Sequence, residues 1–303
     1  MTAMNSKHFK DDNAARQYLE SLRWPNGAVC PHCGSNEAHY ALNGSAHRPG
    51  LWKCKDCREQ FSVTVGTVFE RSKIPLSKWL MAVYLLCSSK KGMSSHQLHR
   101  TLGVTYKTAW FMTHRIREAM TTNPAGLMGS GGGVVEADET YIGRKKGSKL
   151  QRGFGHKNAV FALVERGGKV RAVHLSGEKF DAIKTELKAN VSLDATLMTD
   201  EAKMYVNVGK QFADHQVVKH SVREYVRKNA HTNTVEGYFS VFKRGMKGVY
   251  QHCSSEHLHR YLAEFDFRYN NRTALGIEDA ERAANALKGI EGKRLTYRRP
   301  DEA

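Results

Sequence analysis

Four cysteines constrain this chain more than any other feature. Cys30-Pro31-His32-Cys33 and Cys54-Lys55-Asp56-Cys57 are two Cys-x-x-Cys pairs with twenty residues between them. Two residues between thiolates let both sulfurs wrap one ion as a knuckle, and two knuckles complete a tetrahedral Zn(II) site with bonds of ~2.3 Å. Gly34 follows Cys33, where the tight turn needs a residue without a Cβ. Strand-like segments at 51–53 and 60–65 flank the second pair, as in a ribbon. Four protein ligands close such a site, so the zinc is expected to be structural. A redox dithiol would need only one pair. His32 is expected to face solvent and Cys87 to lie in a helix core, while Cys253 has no cysteine neighbour.

Charge narrows the function classes. The 303 residues carry a formal net charge of +17, with 40% hydrophobic and 25% charged residues. That composition supports a sizeable core, and the basic excess seeks a polyanion, with nucleic acid the first candidate. No stretch approaches the ~20 apolar residues of a membrane span, and residues 1–16 lack the apolar core of a signal peptide. A cytoplasmic, nucleoid-associated protein is expected, in which cysteines serve as metal ligands or buried thiols.

Residues 94–110 have the layout of a helix-turn-helix. Leu98 and Leu102 point inward, Gly103 permits a left-handed turn, Val104 fills the angle and Thr105 caps the second helix. Tyr106, Lys107 and Thr108 would then face a DNA major groove, with Arg115 further along as a phosphate contact. A purely structural helical hairpin uses the same core spacing. The domain plan expected is an N-terminal helix and zinc ribbon (1–70), a helix-turn-helix region (71–122), a Gly-rich linker (123–133), an α/β domain (134–275) and a basic tail (276–303).

Beyond the linker the pattern turns to strands, at 134–142, 159–166, 169–175, 195–199 and 217–220, with helices at 180–189, 233–250 and 255–269. Acids interrupt the apolar strands. A carboxylate in a buried strand is costly unless paired or bound to metal. Asp138 lies in the first strand and Asp200 ends the fourth. In the helix from residue 233, Val235, Phe239, Phe242, Met246 and Val249 form one stripe; Asn233, Glu236, Ser240, Lys243 and Lys247 form its neighbour. Glu236 and Lys243 are seven residues apart, nearly in line after two turns. Three converging acids would hold two divalent ions, Mg(II) by preference with Mn(II) as substitute, for an in-line displacement at phosphorus. Other roles stand beside this one. Glu236 fits a capping box with Asn233, Asp200 could cap a following helix, and Glu136 and Glu139 could be surface acids, Glu136 on the same strand face as Asp138.

The cysteine pairs, the helix-turn-helix, Glu136-Ala137-Asp138-Glu139-Thr140-Tyr141-Ile142-Gly143, and His231-Thr232-Asn233-Thr234-Val235-Glu236-Gly237 with Lys243-Arg244-Gly245 occur in that order. The chain thereby resembles the zinc-ribbon DDE transposases of bacterial insertion sequences, the insertion sequence fifteen-ninety-five family. Residues 261–272 are also similar to that group. The resemblance implies a multidomain α+β protein with an α/β ribonuclease-H-like catalytic domain. It would bind terminal inverted repeats and carry out metal-dependent cleavage and strand transfer. Asp138 and Asp200 match the first two acids. The third position is Glu236 or Asn233; the offset to Lys243 and the anionic ligand favour Glu236. Lys145, Lys146, Lys243, Arg244 and Lys247 are the further DNA contacts expected, and pairing of two ends implies a homodimer or larger assembly on DNA. The rival expectation is a catalytically inactive, domesticated DNA-binding regulator.

Overall fold

The computed structural model describes residues 3–122, 125–175, 179–222, 224 and 226–296. Asn123-Pro124 of the expected linker and residues 297–303 of the expected tail lie outside the described residues. The chain forms two compact units, one of Met1–Thr122 with Arg272–Ala303, the other of Asn123–Asn271.

In the first unit, α1 (Asp12–Arg23) starts at Asp11, whose carboxylate accepts from the Ala14 N–H at 2.7 Å. Such a cap contributes about 1 kcal/mol. Strands β1 (His39–Ala41), β2 (Trp52–Cys54) and β3 (Gln60–Phe61) pair antiparallel in that order. α2 (Leu76–Ser88) buries Trp79, Leu80, Val83, Leu86 and, as its apolar setting predicts, Cys87. Ser94 caps α3 (Ser95–Leu102), whose Leu98 and Leu102 are buried. Gly103 takes the left-handed conformation, φ 60° and ψ 43°. Thr105 then caps α4 (Tyr106–Met120) by accepting from the Thr108 N–H.

The second unit is a five-stranded sheet covered on both faces. Its strands are β4 (Val134–Ile142), β5 (Asn158–Glu165), β6 (Val170–Leu175), β7 (Thr196–Asp200) and β8 (Asp214–Val218), in the spatial order β6-β5-β4-β7-β8. β5 runs antiparallel to β4 and β6, whereas β4, β7 and β8 are parallel. β5 reads Ala-Val-Phe-Ala-Leu-Val, an uninterrupted apolar run, because it is buried on both sides. One face packs Val135, Ala137, Phe161 and Leu163 against Ile183 and Leu187 of α5 (Lys179–Asn190) and Tyr205 of α6 (Lys203–Gly209). A short hairpin, β9 (Val226–Arg227) with β10 (Ala230–His231), leads into α7 (Asn233–Gly245). The other face packs Val160, Ala162 and Val164 against Val235, Phe239 and Phe242 of α7 and Leu262 and Phe265 of α8 (Leu258–Asn270). α8 also protects the β6 edge. Asp266 accepts from the Ala172 N–H, and Asn270 exchanges two hydrogen bonds with Val170. Backbone groups that would otherwise invite another strand are thereby satisfied.

Two expectations of domain layout need correction. The Gly-rich stretch folds into the second unit: Met128 is buried in its core, and the Gly129 N–H donates to the Glu165 carboxylate at 2.9 Å. A Cβ on Gly129 would sit 2.6 Å from that of Ala195, so glycine here serves close packing as well as its φ of 74°. The expected basic tail contains α9 (Asp279–Lys288), which packs in the first unit, with Ala283, Ala286, Leu287 and Ile290 buried. Arg282 donates to the Cys87 carbonyl at 3.0 Å, and Thr67 bridges Glu291.

Candidate metal centres and nucleic-acid interface

The four ribbon cysteines converge. Their sulfurs all lie within 4.8 Å of one another, with Cys30 to Cys57 at 3.7 Å and Cys33 to Cys54 at 3.6 Å. Sulfurs at the corners of a tetrahedron with ~2.3 Å bonds would stand ~3.8 Å apart. The spacing therefore fits zinc, and the four-thiolate set leaves no position for substrate. The knuckles match in backbone: the residue after each second cysteine is left-handed, Gly34 at φ 79° and Arg58 at φ 63°. The N–H groups of Ser35, Cys57 and Glu59 are directed at the sulfurs of Cys33, Cys54 and Cys57 and favour the thiolate a metal needs; the Cys54 thiol falls to about 7, while burial and the neighbouring thiols raise Cys33 and push Cys57 up to about 12. His32 is exposed, as expected.

On the helical hairpin, Tyr106 is exposed and stacks on His96 at 4.3 Å. Lys107 is exposed beside it. Thr108 is partly committed to the cap, its hydroxyl 2.8 Å from that of Thr105. Arg115, expected as a phosphate contact, is only 9% exposed. Its Nε donates to the Leu295 carbonyl and another nitrogen to that of Glu70, and its guanidinium lies over Phe111. Burial lowers its pKa. Arg115 is thus a structural clamp within the first unit, and its expected outward position is corrected.

The strand acids Asp138 and Asp200 lie on the α7 face of the sheet. Glu136 pairs in register with Met198 across the parallel strands β4 and β7. Asp138 and Asp200 lie two residues further along each strand, on the same face and toward the carboxyl ends. Such ends are where open α/β sheets place their sites. Glu236 stands in the first turn of α7, which packs on that face. Burial, then the charge of Glu139, then those of Asp200 and Glu236 push the Asp138 carboxyl up to about 7. Asp200 is raised too, first by burial and then by Glu139. Neighbouring like charges add to burial in raising both carboxyls, an arrangement that a bound cation would relieve. Hard carboxylate oxygens on this accessible rim suit Mg(II) or Mn(II). The acids do not form a closed cage: among the described residues, only the four cysteines bring three potential ligand atoms within 4.8 Å. Asn233, the first residue of α7, is exposed at the same rim. Glu236 accepts from the Thr232 hydroxyl at 2.9 Å and lies 3.7 Å from the His220 imidazole.

Arg244 and Lys247 are exposed near the end of α7, and Lys243 is half-buried two turns beyond Glu236. Lys145 and Lys146 project from the β4–β5 loop. That loop is fastened at its base: the Lys145 N–H donates to the His156 carbonyl, and Phe154 stacks on Tyr141 at 4.6 Å.

Two acids for which the sequence left a surface role open are instead engaged within the fold. Glu139 accepts from the buried Tyr205 hydroxyl at 2.7 Å. Glu136 is fully buried and bonds Arg166 and the start of α7. The available signal was its position in an apolar strand, where an unpartnered acid is too costly to keep. Nothing in the sequence pointed to Arg166, Tyr205 or His220.

Comparison with known proteins accords with this architecture. Residues 131–270 match the ISXO2-like transposase domain, and residues 10–60 match the transposase zinc-ribbon domain. Together the two models cover more than half of the chain and define its class as transposase. The chain belongs to the insertion-sequence transposase family that carries this pair of domains, the insertion sequence fifteen-ninety-five family. An uncharacterized protein in transposable element ISH50 of Halobacterium salinarum is 29% identical over 282 residues, spanning 88% of this chain and 93% of its own. A crystal structure of a pre-cleavage Mos1 transpososome aligns over 65% of this chain and 70% of its own, at 13% identity and a TM-score of 0.27. A likeness that low carries no argument about this chain. Among the described residues, no helix is long and apolar enough to cross a membrane.

Proposed function

We propose that this transposase cleaves phosphodiester bonds at the ends of its element and joins the freed 3′-hydroxyl to target DNA, acting in the cytoplasm on nucleoid DNA. The carrying observation is the placement of Asp138 and Asp200 on adjacent parallel strands, each two residues beyond the paired Glu136 and Met198, with Glu236 in the first turn of α7, which packs on the same face. The strand order, with its antiparallel β5 and β6 beside three parallel strands, supports a ribonuclease-H-like reading of the second unit. Asp138, Asp200 and Glu236 would hold divalent cations, with Asn233 as the neutral alternative at the third position. Mg(II) bound there would supply Lewis-acid activation of the attacking oxygen and charge neutralisation at the leaving one. The residues themselves orient: the Asp138 carboxylate is held by the Glu139 N–H at 2.7 Å, and that of Asp200 by the Ala202 N–H at 3.0 Å. Lys243, Arg244, Lys247, Lys145 and Lys146 supply cations for the DNA backbone. In the first unit, the left-handed Gly103 between α3 and α4 supports a helix-turn-helix that presents Tyr106, Lys107 and Thr108 to a terminal repeat. Joining two ends calls for at least a dimer on DNA.

The test is cleavage and joining of a labelled duplex carrying the element's end, with Mg(II). Asp138→Ala, Asp200→Ala and Glu236→Ala should bind the duplex and neither cut nor join it. Failure of Asn233→Ala alone at the third position reassigns that ligand. A wild-type protein that binds ends but never cuts with Mg(II) or Mn(II) is a DNA-binding regulator instead.

A further inference from the structure

Glu136 is a buried carboxylate of the second unit that accepts four hydrogen bonds. It is 0% exposed. One oxygen accepts from Arg166 Nε at 2.7 Å and the Thr234 hydroxyl at 2.9 Å; the other accepts from the Thr234 and Val235 N–H groups at 2.8 and 3.0 Å. His231 Nδ1 lies 3.2 Å from it. The helix needs this carboxylate because Thr232, at its N-cap position, makes no capping bond. α7 is therefore capped from β4, by an anion at the positive end of its dipole.

Arg166 extends the linkage. Besides Glu136, it donates to the Met198 sulfur of β7 at 2.8 Å, to the His231 carbonyl at 2.9 Å and to Asn229. One ion pair thus touches all three elements that carry the metal-site acids, and at one offset. Glu136 precedes Asp138 by two residues, Met198 precedes Asp200 by two, and Thr234 precedes Glu236 by two. On the strands, two residues are one repeat of the same face, ~7 Å along the chain. On α7 they lie within one turn. Carboxylates that must share an ion need their carriers fixed relative to one another, and a buried charge pair with several directional bonds fixes them better than apolar packing does.

We infer that Glu136 and Arg166 are positioning residues, a buried ion pair that sets the spacing of Asp138, Asp200 and Glu236 without itself touching metal or DNA. This rests on the metal-centre reading proposed above. The test uses the zinc-loaded full chain and the variants Glu136→Gln and Arg166→Lys. Mn(II) binding is read by electron paramagnetic resonance, the Mg(II) dependence of end cleavage by titration, and folding by thermal melting. Glu136→Gln keeps an acceptor and loses the charge. Arg166→Lys keeps the charge and loses the fork that reaches Met198 and His231. For folded variants that still bind the end duplex, Mn(II) affinity should fall at least tenfold, and the Mg(II) needed for half-maximal cleavage should rise in step. Folded variants with wild-type Mn(II) affinity and Mg(II) dependence overturn the inference and leave the metal centre standing. If both variants fail to fold, Glu136 and Arg166 belong to folding alone, and the inference is likewise overturned. A wild-type protein that neither binds Mn(II) nor cuts removes the metal centre itself, and the inference with it.

Discussion

Asp138→Asn should make the protein more stable in the absence of divalent cations while abolishing cleavage. The carboxyl of Asp138 is raised from 3.8 to about 7 in the fold, first by burial and then by neighbouring acids. In the unfolded chain it titrates near its ordinary value, so the folded state binds the proton more tightly. A raised carboxyl costs nothing at pH values below its unfolded pKa. The cost grows as pH climbs from about 4 to about 7 and stays constant above. At ~1.4 kcal/mol per unit, the difference between 3.8 and about 7 sets a ceiling of about 4 kcal/mol. Water at the rim screens part of this, leaving about 1–3 kcal/mol. For a unit of this size that corresponds to a rise of roughly 3–10 °C in melting temperature. The assay is calorimetry of zinc-loaded wild type and variant in cation-scrubbed buffer, without a chelator that would strip the ribbon. The gap should be full at pH 8 and about half as large at pH 5.5, following the linkage slope. Added Mg(II) at pH 8 should raise the melting temperature of the wild type only. An Asn variant no more stable than wild type at pH 8, or a gap that widens as pH falls, would refute the reasoning.

Other expectations concern the ribbon. Cys33→Ser should lower bound zinc from one ion per chain toward none, and Co(II) substitution should give a four-thiolate absorption spectrum in the wild type that the variant lacks. Arg58→Gly should stabilise the second knuckle by about 1 kcal/mol, because Arg58 is exposed and held at φ 63°, where a side chain is strained. The zinc-release midpoint in a chelator titration would move up if that strain is real and stay unchanged if it is not.

Much of the fold was legible locally. Hydrophobic pattern placed β4 at its observed bounds, and β5, β6 and β7 within a residue or so, because buried strands announce themselves as apolar runs. The strand expected at 217–220 is Asp214–Val218, since the polar first residues of β8 hide its start. The helix expected over 233–250 ends at Gly245 and gives way to a π turn, Met246–Tyr250, a change that periodicity does not register. The zinc site could be read because its chemistry lies in spacing along the chain. The partners of Glu136 could not, since Arg166 is 30 residues away and Val235 is 99. Only the folded register of β4 against β7 and α7 brings them together. Arg115 failed for a related reason: the groups that bury it, at Glu70 and Leu295, are 45 and 180 residues distant.

The return of α9 to the first unit has a consequence for synthesis. Chains emerge from the ribosome amino end first, and domains generally fold as units while they do so. Here the amino-terminal unit lacks Ala283, Ala286, Leu287 and Ile290 of its core until residues 123–271 have been translated. The ribbon can take up zinc early, but the helices around α2 cannot complete their packing until all of 123–271 has been made. A prematurely terminated product would keep the cysteines and the acids, yet hold an unfinished scaffold for the helices proposed to read DNA. The fold thus makes the scaffold of the helices proposed to read DNA wait on synthesis of the unit proposed to cut it.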